Sequence, residues 1–228
     1  MQNIKAQKYP RTFHFDFSPE VHNDDKVQHD IENLINKEIV VLYKLDGGNT
    51  TIKAGGPFAR SHAQKTSCET FNYIKSIHQA PKQHMLNGLN FHGENMFAKH
   101  SISYSSLEDY FYLFGISNSE NFLPWDEVVS EAERLSFKVV PELFRGQVSS
   151  LKELQLIIEL GMEGFCPLGG DAIEGFVVRT VDAFAIEDFS THVVKYVRKG
   201  HVQTDEHWSK NWTKNSLMDK KIEVPNVF

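Results

Sequence analysis

Cysteine is scarce in this sequence, since only Cys68 and Cys166 occur among its 228 residues. Two thiols are too few for a disulfide framework or for a zinc site with four thiolate ligands. No stretch approaches the roughly 18 consecutive apolar residues of a membrane helix, and residues 1–15 lack the apolar segment of a signal peptide. These absences exclude a disulfide-rich secreted domain and predict a cytoplasmic protein that does not enter a membrane.

The sequence also lacks internal repeats, low-complexity segments and linkers rich in Pro, Gly or Ser. A chain of this length can bury a substantial core, so we expect one compact domain over residues 1–200. Residues 201–228 are expected to form a short helical tail, in which Trp208 and Trp212 alternate with lysines. Such a helix would pack its tryptophans on the domain or, as the alternative, contact a polyanion.

Acidic residues are in small excess over basic ones, which gives a formal net charge of −6. This value argues against a broad basic surface for nucleic acids. The distribution is uneven, because residues 101–192 carry the acidic excess whereas residues 193–228 are net basic. The basic end could hold a polyanion while the acidic middle faces away, or both regions could be ordinary solvated surfaces.

Short β-branched and aromatic runs dominate the chain and predict strands. They cover residues 39–44, 49–53, 91–98, 110–116, 137–144, 174–180, 182–188 and 191–197. Asp46-Gly47-Gly48-Asn49 between the first two runs has the residues of a hairpin turn.

Three segments have the spacing of helices. The first covers residues 27–35, the second begins at Pro124, and the third begins at the capping-box residue Ser150 and ends at Gly161. Strands outnumber helices, so we predict an α+β fold of antiparallel sheets flanked by helices.

Lys44 lies at the end of a predicted strand and is followed by Asp46 and Gly47. A lysine nucleophile must lose its proton, which costs roughly 4–5 kcal/mol at pH 7 from a free pKa of about 10.4. Asp46 lies on the same side of the strand as Lys44, where it could position a hydrated metal ion. Taken alone, this short motif is better explained as a turn without any chemistry.

Further segments follow Lys44 in a defined order and give the motif its meaning. They are Arg60-Ser61, His92-Gly93-Glu94, Phe111-Tyr112-Leu113-Phe114, Glu174-Gly175-Phe176-Val177-Val178 and Val193-Val194-Lys195-Tyr196. This series resembles motifs I, III, IIIa, IV and V of the covalent nucleotidyltransferase superfamily, which contains ATP-dependent DNA ligases, RNA ligases and mRNA capping enzymes. Asn49 makes the chain most similar to RNA ligases of the phage and kinetoplastid RNA-editing type, because DNA ligases and capping enzymes usually have Arg there. Too few residues follow Lys195 for the OB-fold of those enzymes.

The resemblance implies a nucleotidyltransferase domain, the ATP-grasp-like ligase catalytic fold, with ATP in a groove between the sheets. It further implies an enzyme that joins 5′-phosphate and 3′-hydroxyl RNA ends through a lysyl-AMP intermediate on Lys44, with Mg²⁺ or Mn²⁺. The catalytic residues implied are Lys44, Asp46, Glu174 and Lys195. The nucleotide-binding residues implied are Lys44, Asn49, Arg60, Glu94, Phe114, Glu174 and Lys195, and the residues implied to hold metal-bound water are Asp46, Glu94 and Glu174.

The sequence departs from the family pattern at two positions. Val197 stands where motif V commonly has a second lysine, and Gly115 stands where motif IIIa often has Asp. Alternatives are therefore a DNA ligase or guanylyltransferase of the same superfamily, a non-catalytic module that binds RNA ends, and an enzyme that needs a partner protein to bind RNA.

Overall fold

The computed structural model describes residues 8–53, 55–60, 66, 68–79, 88–200 and 212–218. The strands in this part of the chain are β1 (Phe13–Phe15), β2 (Val27–Gln28), β3 (Glu38–Tyr43), β4 (Gly48–Lys53), β5 (Gly56–Ala59), β6 (Asn90–Asn95), β7 (Phe111–Ser117), β8 (Asn121–Phe122), β9 (Lys138–Val139), β10 (Glu142–Gln147), β11 (Gly175–Thr180), β12 (Phe184–Ala185) and β13 (Val193–Val197). The α-helices are α1 (Asn72–Gln79), α2 (Trp125–Leu135), α3 (Leu151–Met162) and α4 (Phe189–His192).

The strands form two sheets. The first has the order β10-β3-β11-β13-β1-β2, and the second has the order β12-β8-β7-β6-β4-β5, with β9 added beside β7. Most neighbours are antiparallel, but β1 pairs in parallel with both β13 and β2. The predicted α+β class, with antiparallel sheets flanked by helices, is confirmed.

The predicted hairpin between residues 39–44 and 49–53 is wrong, although both strands exist. β3 belongs to the first sheet and β4 to the second, so residues 44–47 cross from one sheet to the other. Gly47 is required at this crossing because a Cβ there would lie 2.7 Å from both Asn95 O and Met96 Sδ. The connection therefore brings the two sheets together at the predicted nucleophile.

The second and third predicted helices are present. α2 follows Pro124 and ends at Ser136, which adopts the left-handed conformation with φ 59°. α3 begins with Ser150, whose side chain accepts the N–H of Glu153 at 3.3 Å. The helix continues one residue beyond Gly161, to Met162. Gly161 packs closely on the first sheet, where a Cβ would lie 2.4 Å from Leu143 Cδ2.

The predicted helix over residues 27–35 is wrong. Its first residues form β2, which pairs with β1 in the register His14↔Val27, and a 3₁₀ turn follows at Glu32–Leu34. Pairing with a distant strand overrides the helical spacing there.

Most of the predicted tail lies outside the described residues. Residues 212–218 are extended rather than helical, and they bridge to Ala98 and Leu107. The described helices are too short and too polar for any of them to cross a membrane.

Candidate active site

A pocket of about 540 Å³ is lined by residues of both sheets. Six of the residues singled out in the sequence lie on its wall: Lys44, Asn49, Arg60, Glu94, Phe114 and Lys195. Glu174 lies directly behind the wall and contacts Lys44. Asp46 is close by but does not line the pocket.

Lys44 is held at the junction of the two sheets. It follows β3 directly, and its N–H donates to Gly175 O at 3.0 Å, which fixes it beside β11. Its ammonium Nζ donates to Glu174 Oε1 at 2.7 Å. The Lys44 side chain is 27% exposed and that of Glu174 is 3% exposed, so the amine reaches the pocket while its partner is buried.

The charges around Lys44 keep it protonated. Burial by itself would lower the pKa of Lys44, but Glu174, Glu94 and Asp46 raise it above the ordinary value. Burial also raises the pKa of Glu174, and it raises the pKa of Glu94 to about 8 against the opposing influence of Lys44. Lys44 is thus protonated among carboxyl groups whose pKa values are raised mainly by burial.

Asp46 is engaged by the backbone of the neighbouring loop. Its Oδ2 accepts the N–H groups of Ser101 and Ile102, each at 2.7 Å. Its own N–H donates to the Tyr104 hydroxyl at 3.0 Å. One carboxylate oxygen is therefore already satisfied, and the contacts hold the loop that carries Lys44.

Lys195 lies in a row of side chains across the first sheet. The register pairs it with His14 on β1 and with Val177 on β11. Its Nζ is 4.0 Å from Asp25 Oδ1. Burial and the nearby charge of Lys44 lower the pKa of Lys195 to about 8, while Asp25 raises it.

Val197 occupies the position where the family pattern expects a second lysine. It is 2% exposed, and its backbone N–H donates to Ser18 Oγ at 3.0 Å. A different cation, Arg11, reaches the pocket wall from the N-terminal segment and pairs with Asp24 and Asp25.

Phe114 is aimed into the pocket by an irregularity in the second sheet. The register runs from His92↔Gly115 to Gly93↔Leu113, so Phe114 is the extra residue of a β-bulge, a feature that re-aims side chains. Val177 of the first sheet also lines the pocket. An aromatic and an aliphatic side chain from different sheets thus border a slot that suits a flat ring.

Tyr9 and Arg179 line the same end of the pocket. The Tyr9 ring lies 5.0 Å from that of Phe114. Arg179 is buried; it donates to Leu123 O at 2.8 Å and to Thr180 O at 3.1 Å, and burial lowers its pKa to about 10. A buried guanidinium beside an aromatic slot provides polar recognition where the pocket is otherwise apolar.

Asn49 and Arg60 complete the wall. Asn49 Oδ1 is buried and has no hydrogen-bond partner among the described residues, although a buried polar atom normally has one. Arg60 is exposed directly after β5 and lines the pocket edge. The first therefore calls for a donor from a ligand, and the second is free to meet charge entering from solvent.

The donors present suit a hard cation that keeps part of its water shell. Within the described ranges no group of at least three His, Cys, Asp or Glu could hold a metal ion directly. Glu174 is nevertheless a buried carboxylate and Glu94 a half-buried one. The pKa values of both are raised, and a nearby divalent cation would stabilise their charged forms. Their chemistry fits Mg²⁺ or Mn²⁺ bound through water.

Several pocket residues have no role predicted from the sequence, among them Tyr9, Arg11, Asp25 and Arg179. Val177 lies in one of the recognised segments but likewise has no predicted role. Arg179 carried a usable signal, because it lies two positions after Val177 in a strand and therefore on the same face. The first three come from an N-terminal segment without a periodic pattern, and its place depends on the parallel pairing of β1 with β13.

Comparison with known proteins gives a consistent result. The family model described as RNA ligase matches residues 37–197. No curated protein matches the chain.

Solved structures share the fold. A mutant of the Naegleria gruberi RNA ligase with ATP and Mn is 20% identical, with a TM-score of 0.55, over 75% of this chain and 52% of that one. Another mutant of it with ATP and Mn is 17% identical, with a TM-score of 0.59, over 87% and 58%. An archaeal ATP-dependent RNA ligase is 14% identical, with a TM-score of 0.52, over 84% and 48%. This chain thus spans about half the length of these ligases.

Proposed function

The chain belongs to the RNA ligase family, and we propose that it is an ATP-dependent RNA ligase that works through a lysyl-AMP intermediate on Lys44. The observation that carries the proposal is the position of the Lys44 amine. It reaches a pocket lined by Arg60 and Lys195, and it lies 2.7 Å from the buried carboxylate of Glu174. The solved Naegleria mutants with ATP and Mn support ATP as the nucleotide.

The nucleotide is placed by groups on opposite sides of the pocket. The adenine base enters the slot between Phe114 and Val177, where stacking holds it, with Arg179 at its polar edge. A ribose hydroxyl donates to Asn49 Oδ1, which is buried and lacks a partner in the described structure. The phosphates then extend toward Lys44, Arg60 and Lys195.

The first chemical step requires a neutral amine at Lys44. Its proton passes to Glu174 Oε1, the carboxylate oxygen 2.7 Å away, whose own pKa is raised by burial. The amine lone pair then attacks the α-phosphorus, a bond forms between phosphorus and Nζ, and the bond to the pyrophosphate oxygen breaks. Arg60 and Lys195 stabilise the charge that builds up on the phosphates.

Glu94 and Glu174, with Asp46 nearby, would hold a divalent cation through water, and the cation would supply positive charge that polarises the phosphate and lowers the pKa of Lys44. Burial is the main cause that raises the pKa of Glu94 to about 8, and Lys44 opposes it, so a nearby cation would favour the charged carboxylate. Asp46 has one oxygen committed to two backbone N–H groups. Its main contribution is therefore to hold the loop of Lys44.

The later steps act on RNA. The AMP moves from Lys44 to a 5′-phosphate RNA end, and a 3′-hydroxyl end then displaces it as the phosphodiester forms. The basic residues 193–228 favour contact with the RNA backbone.

The test of function compares the nucleotide cofactor and the type of nucleic acid that is sealed. The protein is incubated with ATP, GTP or NAD and with nicked RNA or nicked DNA that carries a 5′-phosphate. Sealing of RNA with ATP supports the proposal, whereas labelling by GTP or preferential sealing of DNA favours a guanylyltransferase or a DNA ligase. Lys44→Arg is the matched control, because it keeps the positive charge but removes the nucleophile. Binding of RNA without adenylation would instead favour a non-catalytic module.

A further inference from the structure

Residues 212–218, here called the C-terminal strap, cross the loop between β6 and β7. Lys99 N–H donates to Thr213 O at 2.7 Å, and Asn215 N–H donates to Phe97 O at 3.1 Å. Bridges also join Ala98 to Lys214 and Leu107 to Leu217. The strap thus pairs with the loop on both sides of residues 101–104.

Asn215 is the buried residue of the strap. Its side chain is 3% exposed, whereas its neighbours in the strap are half-buried or exposed. Asn215 Nδ2 donates to Met96 O at 2.9 Å and to Ala98 O at 3.5 Å. Asn215 Oδ1 accepts the N–H of Tyr104 at 3.3 Å. One side chain thereby links the start of the loop to its middle.

The same loop holds Asp46. Tyr104, whose N–H is bound by Asn215, accepts the Asp46 N–H on its hydroxyl at 3.0 Å. Ser101 and Ile102 donate their N–H groups to Asp46 Oδ2, each at 2.7 Å. Buried hydrogen bonds therefore run without a gap from the strap to the residue two positions after the nucleophile.

We propose that Asn215 is a positioning residue, which sets the loop that holds Asp46 and through it the placement of Lys44. Neither Asn215 nor Tyr104 lines the pocket, so each acts on Lys44 through the loop and not through the nucleotide. A small displacement of a nucleophile slows a reaction strongly, because the attacking geometry is lost. The proposal rests on the adenylation of Lys44 proposed above.

The test measures single-turnover labelling with radiolabelled ATP, which gives a rate constant and an amplitude separately. Asn215→Ala removes all the side-chain hydrogen bonds, and Tyr104→Phe removes only the hydroxyl that accepts the Asp46 N–H. Each is expected to lower the rate constant at saturating ATP by about 10- to 100-fold, with half-saturation by ATP within about twofold. The double variant should be no slower than the slower single variant, because both act through one chain of contacts.

Ser216→Ala is the matched control, since Ser216 lies beside Asn215 with an exposed side chain; it should label like the wild type. A merely structural role of Asn215 would lower the amplitude or the melting temperature and leave the rate constant unchanged, which would overturn the proposal. If Asn215→Ala does not fold, Tyr104→Phe decides alone, and labelling at the wild-type rate constant contradicts the proposal. No label on the wild type would overturn the proposed function itself, and the positioning role with it.

Discussion

Asp25 and Lys195 face each other at the pocket wall, with 4.0 Å between Oδ1 and Nζ. Asp25 also lies 3.2 Å from Arg11 and 3.4 Å from His14 Nε2. Burial lowers the pKa of His14 to about 4, so the cations that the carboxylate meets are Arg11 and Lys195, the lysine that meets the phosphates. This pair sets the charge state in which Lys195 works.

Replacing Asp25 by Asn should move the alkaline limb of adenylation to lower pH. Lys195 neutralises phosphate only while protonated, and its pKa of about 8 is the result of burial and Lys44 lowering it and Asp25 raising it. Without Asp25 the ammonium loses its proton at a lower pH. The rate constant of labelling, measured from about pH 6 to about pH 10, shows this shift. The other charged neighbours of Lys195, Glu174 and Arg60, are unchanged in the variant.

Asp24→Asn is the control for that profile. Asp24 pairs with the same Arg11 at 3.3 Å, but its side chain is 85% exposed. It carries the same charge, so a general electrostatic effect would move both profiles. An equal shift in the two variants would contradict a specific role of Asp25 at Lys195.

Glu94→Gln should stabilise the free protein at alkaline pH. Burial raises the pKa of Glu94 from 4.5 to about 8, so between these values the folded state binds more protons than the unfolded state, and stability falls as pH rises. The variant lacks this loss and should exceed the wild type at about pH 8 by at least about 1 kcal/mol, roughly the equivalent of one pKa unit. Denaturant unfolding at about pH 5 and about pH 8 measures the difference, with the exposed Glu159→Gln as control.

Divalent cations should make the wild type more stable than Glu94→Gln at alkaline pH. Mg²⁺ or Mn²⁺ bound near Glu94 raises the stability of the wild type by mass action, and it should do so less in Glu94→Gln. Addition of a chelator returns the wild type to its lower stability. An equal gain in both proteins would show that Glu94 does not contribute to cation binding.

Phe114→Ala should weaken the binding of ATP more than it slows the chemistry. Loss of one base–aromatic stack is worth about 1–3 kcal/mol, so half-saturation by ATP should rise while the rate constant at saturation stays close to that of the wild type. The dependence of labelling on ATP concentration separates these quantities. Phe165→Ala is the control, because Phe165 is 94% exposed and does not line the pocket.

The sequence predicted the strands that carry the site, because β3, β11 and β13 are β-branched runs that the first sheet buries. It also led to Lys44, Asn49, Glu94 and Lys195, which the structure brings to one pocket from positions far apart in the chain. Their order along the chain carried that inference, since each short motif by itself is better explained as an ordinary strand or turn.

The rest depended on contacts between distant segments. The Asp46-Gly47 turn has hairpin residues, but residues 44–47 cross between sheets because β4 pairs with β6 and not with β3. Asp25 reaches Lys195 only because β1 pairs with both β13 and β2. No local pattern encodes such pairings. The contacts of Asp25 with Arg11 and Lys195, and those of Asn215 in the C-terminal strap, therefore could not be predicted.

The most direct test of adenylation at Lys44 is the intact mass of the protein after incubation with ATP and Mg²⁺ or Mn²⁺, followed by peptide mapping. We expect one added AMP, located on Lys44, and its absence from Lys44→Ala. An unchanged mass of the wild-type protein, or an AMP adduct that persists in Lys44→Ala, would contradict it.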